Sequence, residues 1–204
     1  SSLTNSSLSG NYVYVGDDVK HFRIGYCTFR NKGTNGNVVR VYGNFDTLIG
    51  CKYGRMDHCL VDTVGNEVGN DKEAVRWGVS TMSRTDTFSV IERNVFVNSK
   101  ADPEVVSGKM GRLVQRGNTL LRCTGSMTIR HGRSCKQQSN YFVDRSNTTG
   151  TLGTKSGGTR FYDSGHIIED NYYDGLASTS GFQAPLIIDT GDTGGTSTNL
   201  AGHW

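Results

Sequence analysis

Residues 91–96 read Ile91-Glu-Arg-Asn94-Val-Phe96, and this phrase decides the fold because the chain repeats it. An apolar residue is followed, after two variable positions, by Cys or Asn, then one more residue, then an aromatic or aliphatic one. The same order stands in Ile24-Gly-Tyr-Cys27-Thr-Phe29, Met56-Asp-His-Cys59-Leu-Val61 and Ile168-Glu-Asp-Asn171-Tyr-Tyr173. Weaker copies centre on Asn118, with Leu120, and on Asn140, with Phe142. Successive Cys/Asn positions lie 32, 35, 24, 22 and 31 residues apart. A minimum near 22 with irregular additions describes short strands wound into a solenoid, with insertions at the turns. Apolar residues alternate within each copy, as strands require. Neither a leucine-rich spacing nor a sustained 3.6-residue period is present. The expected fold is all-β, a single-stranded right-handed parallel β-helix whose laps of three short strands stack at ~4.8 Å. Cys27, Cys59, Asn94, Asn118, Asn140 and Asn171 then form an inward ladder that holds register and does no chemistry.

Composition agrees. With 27 Gly, 2 Pro and many Ser, Thr and Asn, the chain suits a turn-rich β protein. Its 204 residues suffice for one domain, 1–204. The first copy begins near residue 21 without a capping helix, and the last residues read as a coil followed by a loop. A segment of a longer chain lacking its end caps, or one covered by another subunit, is therefore expected. Twenty-two basic residues against 19 acidic ones, scattered rather than run together, give no pull toward nucleic acid. No apolar run approaches the ~20 residues of a membrane span. The N-terminal stretch has neither a charged region nor an apolar core, so no signal peptide is visible. Five cysteines without a CxxC point to buried, free thiols rather than zinc or a disulfide frame. The histidines lack transition-metal spacing, and there is no GxSxG elbow, P-loop or dinucleotide fingerprint.

Chemistry concentrates between Ala101 and Gly132. Asp102 and Glu104 stand two residues apart, so on a strand their carboxylates point the same way. Two like charges that close need a proton or a cation between them, and calcium, bound by several hard oxygens, suits. Asn70 lies about one lap earlier and could add an oxygen ligand. Arg130 stands 21 residues after Lys109, close to one lap, which puts the two on neighbouring rungs of one column. Crowded basic charge pushes a lysine toward its neutral form, a general base. Arginine stays charged and can cradle a carboxylate or an oxyanion.

The stretches KEAVRWG, EVVSGK, TGSMTIRHG and SGGTRFYDSGHIIEDNYYDGL resemble successive motifs of polysaccharide lyase family 6, the alginate lyases and chondroitinase B. The resemblance runs from about residue 21 to about 190. It implies a pectate-lyase-like solenoid acting on an anionic, uronate-containing polysaccharide. It matches Asn70, Asp102 and Glu104 to calcium ligands, Lys109 to the base that removes the C5 proton, and Arg130 to the arginine assisting C4–O cleavage. His131 and Arg160 match positions that contact the sugar. Glu73 and Arg76 match a motif beside the site whose role reads as structural first. The family usually has Glu where Asp102 stands, so the calcium site is where this chain departs. A polymer substrate implies an extracellular or periplasmic setting, or a virion tail.

Other readings are weaker. A hydrolase needs one carboxylic acid and one carboxylate, and Lys109 with Arg130 would hold both acids ionised. A trimeric phage-tail adhesin or depolymerase shares such a fold, as against a monomeric enzyme. A binding module would need a groove of Trp77, Tyr162, Tyr172, Arg160 and His166, where rings and guanidinium groups stack on polymer.

Overall fold

The structure is a computed structural model that describes residues 2–4, 10–33, 36–44, 47, 49–65, 71–100, 102–145, 157–176 and 184–189. Its strands wind in laps, each adding one strand to each of three sheets, and every pairing between laps is parallel. One complete lap runs through Val90–Glu92 in the first sheet, Val95–Ser99 in the second and Glu104–Gly108 in the third. The next repeats the order with Val114–Arg116, Thr119–Leu121 and Ser126–Ile129. This is the expected parallel β-helix. Among the described residues the one helix is the short 3-10 turn Ser80–Met82, and no helix is long and apolar enough to cross a membrane.

The repeated phrase forms the corner between the first and second sheets. In each copy the residue before the Cys or Asn is left-handed: Tyr26, His58, Arg93, Gly117, Ser139 and Asp170 have φ between 53° and 62°. Five of the six carry a Cβ, so the bonding of the neighbouring Cys or Asn imposes the strained conformation. The Asn94 amide donates to Asn118 Oδ1 at 3.0 Å, Asn118 to Asn140 at 3.0 Å, and Asn140 to Asn171 at 2.9 Å. Each Oδ1 also accepts the backbone N–H of the residue one rung earlier, at 2.9–3.1 Å. Cys59 continues the column, its thiol directed at the Ile24 carbonyl. All five thiols are free, and all but half-buried Cys27 are buried. Burial pushes Cys123 and Cys135 up to about 12, which leaves them unreactive.

Alternation fills the interior. Phe29, Val61, Phe96, Leu120 and Phe142 of the second sheet are buried, as are Val39, Val75, Val106 and Met127 of the third. Each such side chain contributes roughly 1.5–3 kcal/mol on leaving water. The winding starts earlier than residue 21: Ser2–Thr4 pairs with Thr28–Arg30, and Val13–Val15 with Val39–Val41. Neither early strand carries the Cys/Asn phrase, so a search keyed to that phrase begins one lap late.

Candidate active site

The third sheet holds or borders most of the candidate residues, and its alternation decides which of them face outward. Val39, Val75, Val106, Met127 and Thr159 share one register position, and Val41, Trp77, Gly108, Ile129 and Phe161 share the position two residues on. Their side chains fill the core, so the residues between them face outward. That middle column is Arg40, Arg76, Ser107, Thr128 and Arg160. One step past the strands, parallel hydrogen bonding continues: Gly78 N–H to Val41 O, Lys109 N–H to Trp77 O, and Arg130 N–H to Gly108 O, at 2.7–2.8 Å. A second outward column thus holds Tyr42, Gly78, Lys109, Arg130 and Tyr162. Lys109 and Arg130 occupy neighbouring rungs on one face, as their spacing predicts.

Charge is packed densely here. Lys109 is 3% exposed, and its Nζ lies 3.5 Å from Glu73 Oε1. Arg76 Nε lies 3.9 Å from the same oxygen, and Arg76 also pairs with Asp71. Glu104, also 3% exposed, pairs with Arg160 and lies 3.7 Å from Arg130 Nη1. Burial alone would raise the Glu104 carboxyl, but Lys109, Arg160 and Arg130 hold it below the ordinary carboxylate range. Burial pushes the Lys109 amine down, and the like charges of Arg76 and Arg130 add to this against the pull of Glu104 and Glu73. His131 is buried beside Arg130, its N–H bonded to the Gly108 carbonyl at 3.3 Å. The Arg160 guanidinium lies over the Tyr162 ring, 5.3 Å from its centroid.

Asp102 differs from its expected place. Only Glu104 belongs to the strand; Asp102 lies in the bend before it. Pro103 between them has no N–H for the ladder, and the register shifts between Glu104 and Val106. Asp102 instead accepts the Glu104 N–H at 3.0 Å and the Lys72 N–H at 3.2 Å, tying the loop before Glu73 to this rung. Burial, then the neighbouring charge of Glu73, raises its carboxyl to about 6. Asn70 lies outside the described residues. A hard cation fits this corner through two features: Glu104 Oε2 is buried with no hydrogen-bond partner among the described residues, and Asp102 is held beside other carboxylates. Among the described residues no group of three acidic, His or Cys side chains could hold a metal.

The binding-module groove does not assemble. Trp77 is fully buried and stacked on Phe22, because its register position points inward. Tyr172 sits on the second sheet, stepped against Tyr141. His166 is spent at a corner, accepting the Cys135 N–H and donating to the Tyr162 carbonyl.

The sequence profile of the chondroitinase B family matches residues 4–199. The chain belongs to this family. Among solved structures, a mannuronic acid specific polysaccharide family 6 lyase from human gut microbiota aligns with a TM-score of 0.71 at 27% identity, over 86% of this chain and 36% of its own. An alginate lyase of the same family in complex with a trisaccharide aligns at 0.72 and 20% identity, over 86% of this chain and 36% of its own. An alginate lyase bound to G6 gives 0.66 and 20% identity, over 94% and 37%. The chain thus spans little more than a third of the length of these structures. No curated protein matches it.

Within this chondroitinase B family chain, sequence reasoning missed Arg40, Tyr42, Ser107 and Thr128. Arg40 lies over the Tyr42 ring at 4.2 Å and continues the arginine column two rungs before Ser107. A signal was available. The triplets Val39-Arg-Val41, Val75-Arg-Trp77 and Thr159-Arg-Phe161 place an arginine between two inward residues on three laps.

Proposed function

We propose that this face belongs to a polysaccharide lyase that cleaves a uronate-containing polymer, alginate-like or dermatan/chondroitin-like, by β-elimination. The observation that carries the reading is a buried amine of lowered proton affinity, Lys109, one rung from the Arg130 guanidinium in an arginine-lined face. The solved relatives act on polymers of the same class, as alginate lyases.

The Lys109 amine accepts the C5 proton, the C4–O bond breaks, and a C4=C5 double bond forms in the new end. The carbanion beside a carboxylate carries a second negative charge, which makes the proton hard to remove. Arg130, always cationic, hydrogen-bonds to the oxygen that leaves C4 as its charge develops. Arg160, Arg76, His131 and Tyr162 bind and orient the sugar. Asp102 and Glu104, with Asn70, would hold calcium, which when bound would neutralise the uronate carboxylate and acidify C5–H. A polymer substrate would suit an extracellular or periplasmic setting, or a virion tail.

The test incubates the protein with alginate, dermatan sulfate and chondroitin sulfate, with and without a chelator, and monitors unsaturated-uronate absorbance. Growth of that band is expected, lost in Lys109→Ala with the fold intact. New reducing ends without absorbance would show hydrolysis, and binding without cleavage an adhesin.

A further inference from the structure

The Lys109 amine is aimed by buried groups that no step of the elimination consumes. Glu73 is 1% exposed and divides its carboxylate: Oε2 accepts the Asn37 side-chain amide at 3.0 Å, while Oε1 faces Lys109 Nζ at 3.5 Å. Asn37 is itself fully buried, and its amide also donates to the Glu73 carbonyl at 2.9 Å. Its own N–H donates to the Asn11 side-chain oxygen at 2.9 Å. Four successive laps therefore hand a fixed orientation from Asn11 to Asn37, to Glu73, to Lys109. A carboxylate pinned through one oxygen and through its own backbone cannot turn, so the other oxygen keeps a set direction. A long lysine side chain has several rotatable bonds to lose, and a fixed anion selects one arrangement.

We propose that Asn37 and Glu73 are positioning residues for Lys109, Asn37 locking the Glu73 carboxylate and Glu73 aiming the amine at the substrate proton. This rests on the lyase reading, and it gives Glu73 a role beyond packing. Of the other charges facing Lys109, Arg76 from the preceding rung shares Glu73 Oε1 at 3.9 Å and also pairs with Asp71, while Glu104 pairs with Arg160 and with Arg130 of the next rung. Glu73 is the one carboxylate within ion-pair distance of the amine among the described residues.

The test compares wild type, Glu73→Gln, Asn37→Ala and the double variant on the polymer that wild type cleaves, with circular dichroism as a fold check. Glu73→Gln is expected to lower kcat about 10- to 100-fold with KM within about two-fold, since orientation rather than binding is lost. Asn37→Ala should lower kcat less, and the double variant should be no slower than Glu73→Gln, because both act through one carboxylate. Polymer affinity on a Lys109→Ala background should be unchanged by Glu73→Gln. A rise in KM at constant kcat, additive losses, or weakened binding on that background would overturn the proposal. Should Asn37→Ala fail to fold, the Glu73→Gln arms decide alone; failure of both Glu73→Gln and Glu73→Asp to fold overturns the proposal in favour of a packing role. Wild type that yields no unsaturated ends removes the lyase reading and the relay with it, whereas intact wild-type turnover beside any of the contrary results removes the relay alone.

Discussion

At the scale of single residues, burial and neighbouring charge set what each titrating group can do. In its proposed role Lys109 is a base only when neutral, and burial favours that form. Turnover should therefore rise with pH through the folded-state value and level off below the ordinary lysine range, about 10.4. Initial rates across a pH series check this; a rate still climbing at about pH 10 would contradict it. Asp57 shows the opposite sign. Arg23 holds both of its oxygens at 2.7 Å, helped by His58 Nδ1 at 2.8 Å and Arg55 Nε at 3.2 Å, and its carboxyl is lowered although burial opposes. That contribution is present above the unfolded value of about 3.9 and disappears as pH falls through the lower folded one. Asp57→Asn should cost about 2 kcal/mol at neutral pH. Thermal melts would show this as a fall of roughly 4–8 °C, with a flatter loss of stability below about pH 4 than in wild type.

At the scale of elements, the ladder is what keeps laps of unequal length in register. Asn118 is fully buried, accepts from the Asn94 N–H and side chain, and donates to the Ile91 carbonyl and to Asn140. Asn118→Ala strands several of these groups and should cost about 3 kcal/mol in urea denaturation. Asn171, only half-buried at the last described rung, should cost about 1 kcal/mol by the same measurement. Cys59 already points at the Ile24 carbonyl as Asn94 points at Met56. Cys59→Asn should extend the amide column and stabilise the fold by up to about 1 kcal/mol; a lower denaturation midpoint would show the extra volume does not fit. The ladder and the alternation of the strands were legible in the sequence because both depend on residue types a few positions apart. Trp77 stood open between packing and a sugar platform, because residue type allows both; its position in the alternation sends it inward.

At the scale of the molecule, each lap packs chiefly on its two neighbours, so stability is a sum of lap-to-lap contacts. Laps between Val90 and Val143 have neighbours on both sides in all three sheets, whereas Leu186–Asp189 pairs on one side among the described residues. Amide hydrogen exchange should be slowest across 90–143 and faster toward 186–189, read peptide by peptide. Uniform protection would mean that the coil opens as a single unit.

By itself the sequence determined the winding: a Cys/Asn phrase at each corner and apolar residues every second position can be satisfied only by stacked parallel strands. It also set Lys109 and Arg130 one lap apart. Only the tertiary structure decided which charges meet. Glu104 pairs with Arg160 across 56 residues, Glu73 turns to Lys109 across 36, and Asp102 leaves the strand at Pro103. Laps of 22 to 36 residues hide those pairings, because register across an insertion depends on packing and not on distance along the chain.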